Sequence, residues 1–283
     1  MNSRPNLRKE IRAMCTDIDG TLLDSNRALS AGTVAAIGKL REMMPVILAS
    51  SRMPSAMRHL QQELGILKHP LICYNGGYVI HYINENEPPS IISSVQIPFG
   101  ICAAILGLAI GTSIHVSLYV EDQWFAPGMD EWTMREARIT KVEPTIKPGL
   151  EVVKMWEDRG TAAHKVMCMG KTDEIKAMEL ELKKFYSNQI HVYHSKSTYL
   201  EIAPKTVSKA SALAHLLREI YKISLSDVIA FGDNYNDIEL LQSVGLGIAV
   251  GNARAEVKAV ARETTADSKD DGVALSINHH FNF

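Results

Sequence analysis

The chain has 283 residues, a length that suits two domains at roughly 150 residues each or one large one. Hydrophobic residues at 46% and charged residues at 22% describe an ordinary globular chain, and exclude long disorder, a collagen-like fibre and a disulfide-stapled miniprotein. With 30 Lys and Arg against 32 Asp and Glu the net charge is −2, so no global basic field draws the chain toward nucleic acid or anionic lipid.

The opening segment, MNSRPNLRKE, carries charges and lacks the apolar core of a signal peptide. Ile11–Thr16 is an apolar run that stops abruptly in Asp17-Ile18-Asp19-Gly20-Thr21, as a buried parallel strand does at its carboxyl end. Leu29–Glu42 has helical spacing, with Val34, Ile37 and Leu40 on one face and Ser30 as N-cap. A second apolar run, Val46–Ala49, ends in Ser50-Ser51-Arg52; Pro54–Leu64 reads as a helix; and Leu71–Tyr74 stops at Asn75-Gly76-Gly77. Strand, helix, strand, helix, strand predicts a right-handed parallel α/β layer.

From Pro88 to Val120 there is no Asp, Glu, Lys or Arg. The apolar stretch Ile101–Ile110 is about half the roughly 20 residues a membrane span needs. Pro98, Gly100, Gly107 and Gly111 interrupt its surroundings. The reading is a short buried helix over Phe99–Ile110, then a strand over His115–Val120. Val116–Val120 and Trp124–Phe125 flank a hairpin turn at Glu121-Asp122, Thr172–Tyr186 is an amphipathic helix, and Ile190–His194 and Tyr199–Ile202 are strands. Residues 84–200 therefore read as an α+β unit inserted into a core formed by 1–83 and 201–283. The α/β pattern resumes with Ser208 capping a helix over Lys209–Tyr221, whose Ala212, Leu216 and Ile220 share a face. Val228–Phe231 runs into Gly232-Asp233-Asn234-Tyr235-Asn236-Asp237, and Gly245–Val250 into Gly251-Asn252. Cys15, Cys73, Cys102 and Cys168 are scattered with no C-x-x-C pair, which suits reduced, buried thiols in a cytoplasmic protein.

Ligands of open α/β sheets bind beyond the carboxyl ends of strands. Four such ends here carry Asp17 and Asp19, Ser50 and Ser51, Asn75, and Asp233, Asn236 and Asp237; Lys209 opens a helix. Several carboxylates near one point repel each other, and Mg²⁺, an oxygen-seeking cation, is the natural remedy. A lysine and a serine suit phosphate, so the set describes phosphoryl transfer.

These motifs resemble the haloacid dehalogenase-like hydrolases in their phosphatase form. Asp17-Ile18-Asp19-Gly20-Thr21-Leu22 matches the first motif, Ser50 the second, Lys209 in Val207-Ser208-Lys209-Ala210-Ser211 the third, and Gly232-Asp233-Asn234-Tyr235-Asn236-Asp237 the fourth. The insertion between the second and third is similar to the Cof-type subclass IIB, whose members carry a large α/β cap and often act on sugar phosphates. The resemblance implies a Rossmann-like core and a Mg²⁺-dependent phosphatase. Asp17 would be the nucleophile that forms an aspartyl-phosphate, and Asp19 the general acid and then base. Asp17, the main-chain carbonyl of Asp19 and Asp233 would hold Mg²⁺, with Asp237 positioning Lys209 or assisting the metal. Ser50 and Lys209 would hold the phosphoryl oxygens, and Asn236 would touch them. Ser51, Arg52 and Asn75 are further candidates for substrate contact, although Arg52 equally suits a salt bridge at a helix entry. Two residues depart from the family pattern: Ser51 and Ala210 stand where Gly is usual. A sugar phosphomutase is the alternative within catalysis. A non-catalytic phosphometabolite-binding regulator is the alternative outside it, and intact Asp17, Asp19, Lys209 and Asp233 weigh against that. The partner in each case is a small phosphorylated metabolite, with neither nucleic acid nor membrane, and monomer and homodimer both stay open.

Overall fold

The computed structural model describes residues 10–84 and 87–283, so all but the last residue of the opening segment lies outside the described residues. Strands β1 (Ala13–Thr16), β2 (Val46–Ala49) and β3 (Leu71–Cys73) run parallel, with helices α1 (Ala31–Leu40) and α2 (Ser55–Leu64) as crossovers. Every residue of the three strands is buried, which is why they read as unbroken apolar runs rather than alternating ones. Ser30 caps α1 by accepting from the Thr33 amide at 2.9 Å. After β3 the chain turns through Tyr74 and Asn75, both at positive φ (52° and 55°). It then doubles back as β4 (Tyr78–His81) and β5 (Ser90–Ser94), antiparallel additions to the same sheet. The inserted sheet therefore begins after Ser94 rather than at residue 84.

The next segment builds a second sheet from β6 (His115–Val120), β7 (Gln123–Ala126), β8 (Thr145–Ile146), β9 (Lys165–Met169), β10 (Ile190–Lys196) and β11 (Tyr199–Pro204), in the order β10-β11-β9-β6-β7-β8. Helices α3 (Phe99–Ala109), α4 (Glu131–Thr140), α5 (Gly149–Arg159) and α6 (Thr172–Tyr186) accompany it. The two faces of this sheet have different partners. Val116, Leu118, Val166, Cys168, Leu200 and Ile202 share one hydrophobic cluster with residues of α3, α5 and α6. Their sequence neighbours Tyr119, Met167, Met169 and Tyr199 join the cluster of the larger sheet instead. The period-2 alternation of a strand separates the two sets.

The chain then returns to the first sheet through α7 (Lys209–Leu216), β12 (Val228–Gly232), α8 (Ile238–Ser243), β13 (Leu246–Ala249), α9 (Ala255–Val260), β14 (Glu263–Thr264) and α10 (Gly272–Phe281). The completed sheet reads β14-β13-β12-β1-β2-β3-β4-β5, parallel from β14 to β3. The helix expected over Lys209–Tyr221 is α-helical only to Leu216; Leu217–Tyr221 winds as a π-turn. The wider turn rotates Ile220 off the buried stripe, and it is 41% exposed. All four cysteines are free and buried. No described helix is long and apolar enough to cross a membrane.

Candidate active site

From β1 the chain steps to β2 and β3 on one side, and the returning segment lays β12, β13 and β14 on the other. The strand order therefore switches direction between β1 and β12, and the crevice at such a switch point is where open α/β sheets bind ligands. Asp17 follows β1 directly, and its amide donates to Phe231 O of β12 at 3.0 Å. Asp233 follows β12. Oxygens of Asp17, Asp233 and Asp237 all lie within 4.8 Å of one another.

Lys209 holds this cluster together. It is 1% exposed, and its Nζ donates to Asp17 Oδ1 at 2.5 Å and to Asp237 Oδ1 at 2.8 Å. A cation in the first turn of a helix meets an unfavourable dipole, and burial also disfavours its charge; the two carboxylates outweigh both and hold the ammonium protonated far beyond neutral pH. Asp237 is itself fixed, because its Oδ2 accepts from the amides of Asp233 and Asn234 at 3.0 and 3.1 Å. Burial first, and repulsion from Asp237 second, push Asp233 up to about 6. Thr21 Oγ1 donates to Asp233 at 3.1 Å. Gly20 passes directly beneath at φ +85°, where a Cβ would fall 2.6 Å from Asp233 Oδ2. That close approach is the reason the residue after Asp19 has no side chain.

Asp19 turns its carboxylate away from the cluster. Arg52 grips it bidentately, Nε to Oδ2 and a terminal nitrogen to Oδ1, both at 2.7 Å, and Arg27 adds a third contact at 2.5 Å. Burial raises the Asp19 pKa, but the two arginines outweigh it and hold the carboxyl below the usual range. Arg52, read from the sequence as either a substrate contact or a salt-bridge partner, is here paired with Asp19. As a metal ligand Asp19 is left with its main-chain carbonyl, since its side chain is not one of the three clustered carboxylates.

Ser50 follows β2 directly, is buried, and takes the Arg52 amide on its Oγ at 3.3 Å. The left-handed turn after β3 aims Asn75 into the same space. Its Oδ1 accepts from Asn236 at 2.9 Å and its Nδ2 donates to Glu201 at 3.3 Å. Asp17, Asp19, Ser50, Ser51, Arg52, Asn75, Asp233 and Asn236 line one cavity of about 540 Å³; Lys209 and Asp237 are buried behind this lining, with Lys209 bonded to both Asp17 and Asp237.

The sequence reading missed the opposite wall. Lys165 of β9, Glu201 of β11, Glu136 of α4 and Tyr119 of β6 face the same cavity. Lys165 Nζ donates to the carbonyl of Ser51 at 3.0 Å. A charged residue inside an otherwise apolar strand was the available signal: Lys165 opens the run Val166–Met169, and Glu201 interrupts Tyr199–Ala203.

The sequence profile of a family described as haloacid dehalogenase-like hydrolase matches residues 14–277. A Haemophilus influenzae protein, named as a phosphatase without a substrate, is 32% identical over 273 residues, 95% of this chain and 98% of its own. The pyridoxal phosphate phosphatase of Escherichia coli K12 is 26% identical over 277 residues, 95% and 98% of the two chains. The solved structure of a subclass IIB sugar phosphatase superposes with a TM-score of 0.79 over 96% of this chain and 100% of its own, at 19% identity, a likeness of fold.

Proposed function

We infer that the chain, which belongs to the haloacid dehalogenase-like hydrolases and is a phosphoric monoester hydrolase, is of their Cof-type subclass IIB. From that premise we propose that it is a Mg²⁺-dependent phosphatase, acting on a small phosphorylated metabolite, with a sugar phosphate the first choice. The observation that carries this reading is the meeting of Asp17, Asp233, Asp237 and Lys209 at one cavity, which Asp17 and Asp233 line.

The donor set fits the metal. Three carboxylates crowd around a point that Gly20 keeps open, and all the ligands are oxygens. Asp17, the Asp19 carbonyl and Asp233 would hold Mg²⁺, which when bound offsets the charge of the phosphoryl group. Asp17 attacks phosphorus and forms an aspartyl-phosphate as the leaving alcohol departs. Lys209 and Ser50 hold the phosphoryl oxygens, and the Lys209 ammonium offsets the charge that builds on them. Asn236 and Asn75, already bonded to each other, line the same side of the cavity. Asp237 orients Lys209.

Asp19 donates a proton to the leaving oxygen and afterwards accepts one from the attacking water. The arginines hold it ionised, the form its second task needs. Its first task requires Arg27 and Arg52 to turn from Asp19 toward the substrate. The segment that builds the second sheet, from after Ser94 to Pro204, acts as a cap that closes over the core and excludes bulk water. The relatives named as phosphatases favour water over a sugar hydroxyl as the acceptor.

The deciding experiment is Mg²⁺-dependent release of phosphate from p-nitrophenyl phosphate by the full chain and by Asp17→Asn. The substitution keeps the shape and removes the nucleophile, so the rate is expected to fall by ~10³-fold or more. Substantial turnover in the variant defeats the assignment.

A further inference from the structure

The inserted sheet presents a mostly apolar face to the core, and two of its central strands each place one charge on that face. Lys165 is 4% exposed and Glu201 8%. Glu201 pairs across the strands with Met167, so Lys165, two residues back on β9, lies on the same face, and Tyr119 pairs with Lys165 from the other side. The ammonium lies 4.4 Å from the centroid of the Tyr119 ring. Among the described residues its one hydrogen bond goes to Ser51 O at 3.0 Å, and no carboxylate oxygen lies within 4.0 Å of Nζ. A buried ammonium has three donors and is costly unless they are used; here a wall of the substrate cavity holds one with donors to spare. Glu201 is similarly placed. Asn75 occupies one of its oxygens at 3.3 Å, and Glu136, also buried, lines the same wall.

We propose that Lys165 and Glu201 select the leaving group, reading adjacent hydroxyls of an uncharged polyol or sugar: Lys165 donates to one oxygen and Glu201 accepts from the next. This rests on the phosphatase reading above and adds to it the residues that discriminate. The charges on the wall decide the class. A second anionic group would gain from Lys165 and meet Glu201 and Glu136. An amine would gain from the carboxylates and meet Lys165. A hydroxyl is both donor and acceptor and satisfies both, and the Tyr119 ring offers an apolar surface to the carbon face of a sugar.

The test compares kcat/KM with Mg²⁺ for neutral pentose and hexose phosphates, for an aldonic acid phosphate and an amino-sugar phosphate, and for p-nitrophenyl phosphate. The proteins are wild type, Lys165→Met and the near-isosteric Glu201→Gln. In wild type the best neutral sugar phosphate is expected to exceed the acid and the amine by about tenfold or more. In each variant the ratio of that sugar phosphate to the aryl phosphate is expected to fall by about tenfold or more. An unchanged ratio, equal losses on both esters, or a wild-type preference for the acid or the amine overturns the proposal. A wild type that releases no phosphate even from the aryl ester is a separate result: it removes the phosphatase reading itself.

Discussion

Lys209 shows how far a single residue departs from its local pattern. At the start of an amphipathic helix a lysine is ordinarily solvated; here it is buried and bonded to two buried carboxylates. Lys209→Met would leave Asp17 and Asp237 facing each other without compensation. Removing one partner of a buried ion pair costs about 3–5 kcal/mol, so we expect a loss of that size in urea unfolding with chelator present, along with loss of phosphatase activity. An unchanged unfolding midpoint would show that the triad carries no such coupling. The residues legible in the sequence were those whose neighbours announced them: Asp17 and Asp233 end apolar runs, and Ser208 caps its helix. Lys165 and Glu201 stood out only as charges in apolar strands; their role was not legible, because it depends on which face of the second sheet turns toward the first, and strand alternation alone does not say which. Arg27 was equally silent, a loop residue at φ +61° whose partner Asp19 lies eight positions earlier.

At the scale of elements, the β6–β7 hairpin turn joins the smaller sheet to α2 and to the turn after β3. Pro54 stands at the N-cap of α2 and offers no side-chain cap; Asp122, from the hairpin, accepts from the Ser55 amide at 2.8 Å in its place. Tyr74 donates to Glu121 O at 2.7 Å, and the Glu121 amide donates to His164 Nδ1 at 2.9 Å. Asp122→Ala is expected to cost about 1 kcal/mol, as loss of an N-cap does, and to speed amide exchange in the first turn of α2. Unaltered exchange there would refute the capping role. His164 is 0% exposed, and burial lowers its pKa from 6.5 to about 4. Its unfolded form therefore binds a proton that the folded form refuses between those values, so its contribution to stability is lost as pH falls through that window. The loss reaches up to about 3 kcal/mol at the acid end. Asp233, raised to about 6, has the opposite sign over part of the same range. The readout is therefore the difference between wild type and His164→Gln, measured by urea unfolding from pH 7 to pH 4. That difference is expected to shrink steadily with acid; a constant difference would show that His164 titrates normally. The hairpin was legible as a turn between two strand patterns, whereas its attachment to α2 is a contact between residues 67 positions apart, which no local pattern encodes.

At the scale of the whole molecule, the larger sheet was legible and the smaller one only in pieces. Parallel strands buried on both faces leave continuous apolar runs, and each run ended where a motif began. The order β10-β11-β9-β6-β7-β8 follows from long-range pairing, and α4 and α5, with Asp130 as one N-cap and Gly160 as one C-cap, went unassigned in the sequence reading. A metal held by Asp17 and Asp233 would tie β1 to β12, and that has a thermodynamic signature. A ligand that binds only the folded state at 100 times its Kd stabilises by about 2.7 kcal/mol, several degrees in melting temperature for a chain of this size. Millimolar MgCl₂ is therefore expected to raise the melting temperature above that in KCl of equal ionic strength. Because Asp233 sits near 6, the ion must displace a proton below that pH, so the rise should be larger at pH 7.5 than at pH 5.5. Asp233→Asn should abolish it. A rise that KCl matches, or that survives in Asp233→Asn, would mean that the three clustered carboxylates are not where the ion binds, and that their repulsion is relieved by Lys209 alone.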